Sequence, residues 1–370
     1  MHIVNISLDD SVFSNSGVGD THKRFVEYAK VCQTFSVVIP VVRPARELTI
    51  DSIRYIPAFG KNKLLSYLSL FTILHKVSRS QTLFVANDPV VGLIALLIRG
   101  SRSTVKVQIN SFGTRVNQIR WIFERPHHWL LWLFSVIAIK GANQIRTDTN
   151  RDKQIFVRML GVSTDKIVVI PVPPSPEIQK KLLAIKRKPL KKVNSVLAIG
   201  SLTKNKDFET LLKAFQKVPS KETLKLTIIG SGPEEKNLKN IAVKLNLRNQ
   251  VNFVPNVTYN QLLSYYAQSD LFVSSSTIEG LPRVLMEACL SALPVVTTNF
   301  NGAIDLIEDK KSGRVVPIRN VQKLAEAIES VIENPKTAQK YGLQARLDSL
   351  KYLDFTRNLK LLHLSWKGLF

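Results

Sequence analysis

Glu279 and Glu287 stand eight residues apart, with a loop-to-helix turn between them. The run 270–274, Asp-Leu-Phe-Val-Ser, reads as a strand ending in small hydroxyl residues. Pro282 suits the first turn of a helix, where its missing N–H costs nothing. Glu279 then falls in the loop, and Glu287 about two turns into the helix. The first amides of a helix lack intrahelical partners and add to the positive end of its macrodipole. Gly280, Leu281, Pro282, Arg283 and Val284 therefore form a candidate anion site with a carboxylate at its lip. Such a site would take a nucleotide sugar, phosphates at the helix end and hydroxyls on the two carboxylates. The bland alternative is an amphipathic surface helix with two solvated acids.

A second chemical segment, 196–208, reads strand, glycine turn, helix, and carries Gly200, Ser201, Lys204, Lys206 and Asp207. A third, Thr227-Ile228-Ile229-Gly230-Ser231-Gly232-Pro233-Glu234, turns the same way, and its backbone can approach a ligand closely. Ser16-Gly17-Val18-Gly19-Asp20 precedes a helix but lies too far past the first strand, and lacks a third glycine, for a dinucleotide fingerprint. His127 and His128 are adjacent, so on a helix they point apart and form no metal pair. No Asp-x-Asp occurs.

Glu-Gly-Leu-Pro-x-x-x-x-Glu-Ala at 279–288, followed by Ala292-Leu293-Pro294-Val295-Val296, resembles the donor-site signature of the family-4 retaining glycosyltransferases, glycosyl transferases group 1, which have the GT-B fold. The resemblance covers about 193–335 well and the first half more loosely. It implies that Glu279 takes sugar hydroxyls, that Glu287 takes the ribose, and that Lys206 holds the donor diphosphate. It also places Gly230 and Asn256 beside the nucleotide, and the loop Gly17, Val18 and Gly19 near diphosphate and acceptor. Departures are visible. Ser201 stands at the family's arginine position and Asp207 at its second glycine. Pro255 replaces a usual glycine, and Asp305 a usual glutamate. Lys204, Arg283 or Arg115 could supply the missing charge, Lys204 first. The segment 107–114 lacks the family's first-domain histidine; Asn110 and Ser111 there could bind sugar hydroxyls, but neither is a general base at neutral pH. Retaining transfer does not strictly require one, because the departing phosphate oxygen can accept the proton.

These residues need a scaffold. Strand-like runs at 3–6, 36–41, 82–86, 104–109, 144–146 and 167–170, with helical patterns at 20–31, 64–77 and 149–160, make up the first half. The second half has strands at 196–199, 224–229, 251–254, 271–273 and 294–297, and helices at 208–218, 234–245, 259–267 and 282–290. Such alternation predicts α/β architecture with two parallel, doubly wound sheets. The proline run 171–176 and the basic stretch 180–192 read as the join. The expectation is two Rossmann-like domains facing across a cleft: 1–175 for the acceptor, 193–350 for the donor, with a closing helix at 354–370 that, by resemblance, returns to the first domain.

At 370 residues and 45% hydrophobic content the chain supports two real cores. Cys32 and Cys289 suggest neither a disulfide framework nor a metal spacing, so a reducing compartment is expected. The start reads as a strand without the features of a signal peptide, and the apolar run 129–139 is too short to span a membrane. Net charge is +24, from 52 basic against 28 acidic residues, and most of the excess lies in the first half. No aromatic-basic module for bases is evident, so nucleic acid is not expected. Tryptophan and arginine beside the apolar segments 61–79 and 120–140 suit a membrane–water interface, and the charge suits anionic lipid.

The reading is a metal-independent, cofactor-free hexosyltransferase, retaining by resemblance. It would pass sugar from a nucleoside diphosphate donor to a glycan or lipid-linked acceptor in surface polysaccharide or glycolipid synthesis, in the cytoplasm at the inner membrane face. A degenerate protein that binds donor without turnover, and a sugar-nucleotide epimerase of the same fold, stay as alternatives.

Overall fold

Strands covered on both faces carry near-continuous apolar text, and Thr82–Ala86, buried along its whole length, is one. The computed structural model describes residues 1–13, 19–102, 104–111, 128–219 and 223–370. Gly17, Val18, Arg115 and the segment 120–127 lie outside them. The chain divides into two units, Met1–Ser175 with Phe355–Phe370, and Pro176–Asp354.

The first unit runs β1 (His2–Ile6), α1 (Asp20–Ala29), β2 (Thr34–Val41), β3 (Leu48–Ile50), β4 (Ile53–Phe59), α2 (Lys63–Val77), β5 (Thr82–Ala86), α3 (Pro89–Ser101), β6 (Lys106–Asn110), α4 (His128–Gly141), β7 (Gln144–Thr147), α5 (Asn150–Leu160) and β8 (Ile167–Val169). Its sheet has the order β3-β4-β2-β1-β5-β6-β7-β8. On one face Leu70 and Leu74 of α2, Ile98 of α3 and Ile139 of α4 pack over Phe84, Val107 and Ile109. On the other, Phe25 and Tyr28 of α1 meet Leu362 and Trp366 of the closing helix Phe355–Lys367. Trp366 is buried, and its indole N–H donates to Gln108 Oε1 at 3.0 Å, so its polar tip is satisfied.

Not every pair in this sheet is parallel. Leu48–Ile50 and Ile53–Phe59 form an antiparallel hairpin whose turn residues, Asp51 and Ser52, have φ of 48° and 66°. Positive φ at both central positions is the geometry that matches strand twist, and it normally selects Asn-Gly or Asp-Gly. Asp-Ser gave no such signal. Helix α3 is not marked in the sequence, since Pro89–Ser101 is apolar nearly throughout and offers little polar contrast.

The second unit runs α6 (Pro176–Leu183), β9 (Ser195–Ile199), α7 (Phe208–Lys217), β10 (Lys225–Ile229), α8 (Glu235–Lys244), β11 (Val251–Val254), α9 (Tyr259–Gln268), β12 (Leu271–Ser274), α10 (Arg283–Leu290), β13 (Val295–Thr298), α11 (Ala303–Leu306), β14 (Arg314–Val316), α12 (Val321–Glu333) and α13 (Pro335–Tyr352). Pro176 opens a helix rather than ending regular structure, as its missing N–H allows at a first helical position. The basic stretch after it is pinned rather than loose. Arg187 donates through Nε to Ser291 O and through Nη1 to Ser269 O, each at 2.8 Å, and burial pushes its pKa down to about 10.

All strands of this sheet are parallel, in the order β11-β10-β9-β12-β13-β14. The winding reverses between β9 and β12. In open α/β sheets the crevice at such a reversal, beyond the carboxyl ends of the strands, is where ligands bind. The segments that leave β9 and β12 there are 200–207 and 275–282.

Candidate active site

Lys206 and Glu279 meet at this reversal. The lysine leaves β9 through Gly200 and a 3-10 turn, Lys204–Lys206, while the glutamate follows β12. Their charged groups pair directly, with side chains only 13% and 15% exposed. Ser276 Oγ donates to the other carboxylate oxygen of Glu279 at 2.9 Å. The two segments are laced along their backbones as well. Thr277 N donates to Asn205 O at 2.8 Å and Ser275 Oγ to Lys206 O at 2.9 Å, while Thr298 Oγ1, at the end of β13, donates to Ser276 O at 2.5 Å. A half-buried ion pair, held by hydrogen bonds on both sides, is a preorganised arrangement: a cation for phosphate and an acceptor for hydroxyls.

Asp207 has φ 50° and ψ 44° and is the N-cap of α7. Its carboxylate accepts from Thr210 N at 3.3 Å and Thr210 Oγ1 at 2.8 Å. Burial raises its pKa, opposed by the Thr210 hydrogen bonds. The backbone conformation is one that glycine adopts freely and aspartate tolerates. The aspartate adds a cap that glycine lacks. Asp207→Ala should destabilise the second unit by about 1–3 kcal/mol, from the lost cap and the left-handed backbone. Urea unfolding would show it, with Asp207→Asn close to wild type and Asp207→Gly between them; an unchanged Asp207→Ala would contradict this account.

The neighbouring turns are stitched to the lysine segment. Gly230 has φ +150°, and a Cβ there would lie 2.0 Å from Gly200 O, so only glycine fits. Leu202 N donates to Ser231 O, and Glu234 N to Leu202 O, both at 2.9 Å. Ser201 and Lys204 are exposed, and Ser201 Oγ lies 3.4 Å from Thr203 Oγ1. Asn256 is exposed just past β11.

Pro282 caps α10 from outside, with ψ 130°, and the helix begins at Arg283. Leu281 and Pro282 are buried, and Gly280 and Val284 are partly so. A Cβ at Gly302 would stand 1.7 Å from Gly280 O, so the loop from β12 rests on bare backbone. Glu287 is 1% exposed. Its Oε1 accepts from Arg283 Nε at 2.8 Å and Tyr259 Oη at 3.2 Å, and its Oε2 accepts from Tyr266 Oη at 3.0 Å. Burial pushes its pKa up, opposed by the Arg283 guanidinium. Both oxygens are engaged, Oε1 twice and Oε2 once, so the carboxylate is held in place by Arg283, Tyr259 and Tyr266. Tyr259, Tyr266 and Ser276 carry no sequence signal for this role; only Ser276, three residues before Glu279, could have been picked out by reach. Asp305 accepts from Tyr352 Oη at 3.2 Å.

In the first unit, Gly19 caps α1 with φ −77° and open space around its Cα, which is an ordinary helix start. Asn110 ends β6, Ser111 follows it, and both are buried. Asn110 Nδ2 donates to Asn87 Oδ1 at 2.7 Å, and Asn87 Nδ2 to Asn5 Oδ1 at 2.9 Å. Asn110 Oδ1 has no partner among the described residues. Among the described residues no three His, Cys, Asp or Glu side chains are grouped to hold a metal. A groove of about 910 Å³, lined by Lys186, Lys188, Lys191 and Asp270, opens in the second unit before β9 and β12, away from the lysine–glutamate pair.

Residues 180–348 match the model of the family glycosyl transferases group 1. An uncharacterized glycosyltransferase of Haemophilus influenzae is 30% identical over 63% of this chain and 62% of its own length. A GDP-mannose-dependent alpha-(1-6)-phosphatidylinositol monomannoside mannosyltransferase of Mycobacterium tuberculosis is 27% identical over 50% of this chain and 49% of its own. Either match spans less than two thirds of the relative. HepE of Anabaena, solved in complex with UDP and glucose, superposes over 100% of both chains with a TM-score of 0.75 at 16% identity. A likeness at that identity shows the fold, two Rossmann-like domains of the GT-B type.

Proposed function

We propose that this chain, which carries a glycosyl transferases group 1 domain at 180–348, is a retaining, metal-independent glycosyltransferase using a nucleoside diphosphate sugar. The observation that carries the reading is the Lys206–Glu279 pair at the winding reversal between β9 and β12. With donor bound, the diphosphate takes the ammonium of Lys206, and the exposed Lys204, at the start of the same 3-10 turn, adds charge where Ser201 offers only a hydroxyl. Glu279, freed from its lysine and still held by Ser276, accepts sugar hydroxyls. The amides that open α10 face the phosphates.

Transfer breaks the bond between the anomeric carbon and the diphosphate oxygen, and the acceptor hydroxyl oxygen bonds that carbon from the same face. Its proton passes to the departing phosphate oxygen. Negative charge grows on that phosphate as the bond breaks, so a fixed lysine there stabilises the transition state more than the bound donor. The acceptor is a glycan or a lipid-linked sugar, which fits the mycobacterial relative's phosphatidylinositol mannoside chemistry.

The test is a panel of UDP-, GDP- and ADP-sugars without metal, wild type beside Glu279→Ala. Saturable binding of one donor class, with slow sugar release, is expected, and at least about tenfold weaker binding in the variant, as for a lost charged hydrogen bond. No donor binding by a folded protein would sink the reading. Binding with neither hydrolysis nor transfer to any acceptor would point to a donor-binding protein without turnover.

A further inference from the structure

The outer faces of α2, α3 and α4 are apolar where a surface helix of a doubly wound domain is ordinarily polar. On α2, Leu64 and Leu68 are 69% and 59% exposed, and Phe71 continues the same stripe at helical spacing. On α4, Trp129, Leu133 and Ile137 recur every fourth residue and are likewise exposed, and Leu97 of α3 is 62% exposed. Helix α3 packs against both neighbours, so the residues share one side of the first unit.

This side is riveted. Arg99 Nη1 donates to Gly141 O, at the end of α4, at 2.6 Å. Arg102 Nη1 donates to Ser78 O, at the end of α2, at 2.9 Å. The two guanidiniums spend their donors on helix ends and hold three helices as a slab. The remaining cations are exposed at its rim: Lys61, Lys63, Lys76 and Arg79 around α2, and Lys140 on α4. None of the three helices carries Asp or Glu. Asp88, just before α3, is used as its cap, accepting from Val90 N at 2.7 Å.

We propose that this slab docks on an anionic lipid bilayer, with Leu64, Leu68, Leu97, Trp129 and Ile137 in the headgroup–acyl boundary and the rim lysines on lipid phosphates. An exposed apolar patch of this extent marks a protein or membrane contact. The rim decides between them. A second copy on the same face would set like charges against like, which opposes association. An anionic leaflet complements both the apolar centre and the cationic edge. Among the described residues no helix is long and apolar enough to cross a membrane, so the slab lies on the surface. The inference is independent of the sugar-transfer reading.

The test is sedimentation of the full chain with vesicles of phosphatidylcholine alone, or of equal parts phosphatidylcholine and phosphatidylglycerol, beside L68E/I137E and K61Q/K63Q/K140Q. Wild type should bind the anionic vesicles at least about tenfold more tightly than the neutral ones. L68E/I137E should lose about tenfold or more on anionic vesicles, and the lysine variant should lose the anionic preference. Both positions of the first variant are exposed, and a thermal melt checks its fold; the lysine variant leaves the apolar face intact. Wild type that ignores anionic vesicles, or variants that bind as wild type does, would overturn the proposal. So would a wild-type dimer that L68E/I137E converts to monomer, since the face would then be covered by its own copy.

Discussion

Lys206→Met should lower sugar transfer, as kcat/KM, by about 10²–10³-fold, the loss usual when one preorganised donor to a developing oxyanion is removed. The substitution keeps much of the stem that lies against Gly200 and deletes the charge. Two effects separate in the kinetics. Glu279 loses its cation and keeps only the Ser276 hydrogen bond, so donor affinity falls through a misplaced, half-buried carboxylate. The leaving diphosphate loses its counter-charge, and this acts on kcat, because charge grows there as the bond breaks. Lys206→Arg restores charge without the geometry and should recover kcat only in part. Equal kcat in Lys206→Met and wild type would remove Lys206 from the chemistry.

Much of this site was legible because its signals are local. Glu279 and Glu287 in their flanks, and Lys206 after a strand and glycine turn, are patterns within a dozen residues. Each maps to a strand end that the βαβ rule places on one side of a sheet. What was not legible depends on the partner brought by the fold. Nothing in the sequence says that Tyr259 and Tyr266, twenty to thirty residues upstream, hand their hydroxyls to Glu287. Asp207 looked like a departure from a glycine pattern; the structure shows a left-handed residue that also caps a helix, two demands that aspartate meets together. The misses in the fold have the same origin. A hairpin turning on Asp51-Ser52 lacks the usual glycine, and α3 is apolar on its outer side as well as its inner one, which leaves little polar contrast to mark it as a helix.

Asp148→Asn should stabilise the first unit most above pH 7, less at pH 5, and leave it nearly unchanged only below pH 3.8. Asp148 follows β7 and is buried, 5% exposed, with Oδ1 accepting from Val172 N at 3.1 Å. Arg146 holds the same stretch of chain through Ile170 O and Pro171 O, each at 2.9 Å. Asp20 Oδ1 accepts from Ser175 N at 3.2 Å, with Arg24 3.3 Å from its other oxygen. Burial pushes the pKa of Asp148 up to about 7, opposed by Arg146 and reinforced by the buried Asp152. In the unfolded chain the group titrates near 3.8, so between those values the folded form holds a proton that the unfolded form has released. The stability this proton provides is complete below pH 3.8 and is lost as pH rises to about 7. The full shift corresponds to at most about 4 kcal/mol, and relaxation around the charge would leave roughly 2–3 kcal/mol. Asparagine is neutral throughout and its carbonyl can still accept from Val172. The urea midpoint of the first unit, measured at pH 5 and pH 8, should therefore drop in wild type by more than in Asp148→Asn. Taking the difference between the two proteins cancels every other titrating group. Parallel pH profiles would mean that Asp148 is already charged in the fold at pH 5, with Arg146 close enough to outweigh its burial.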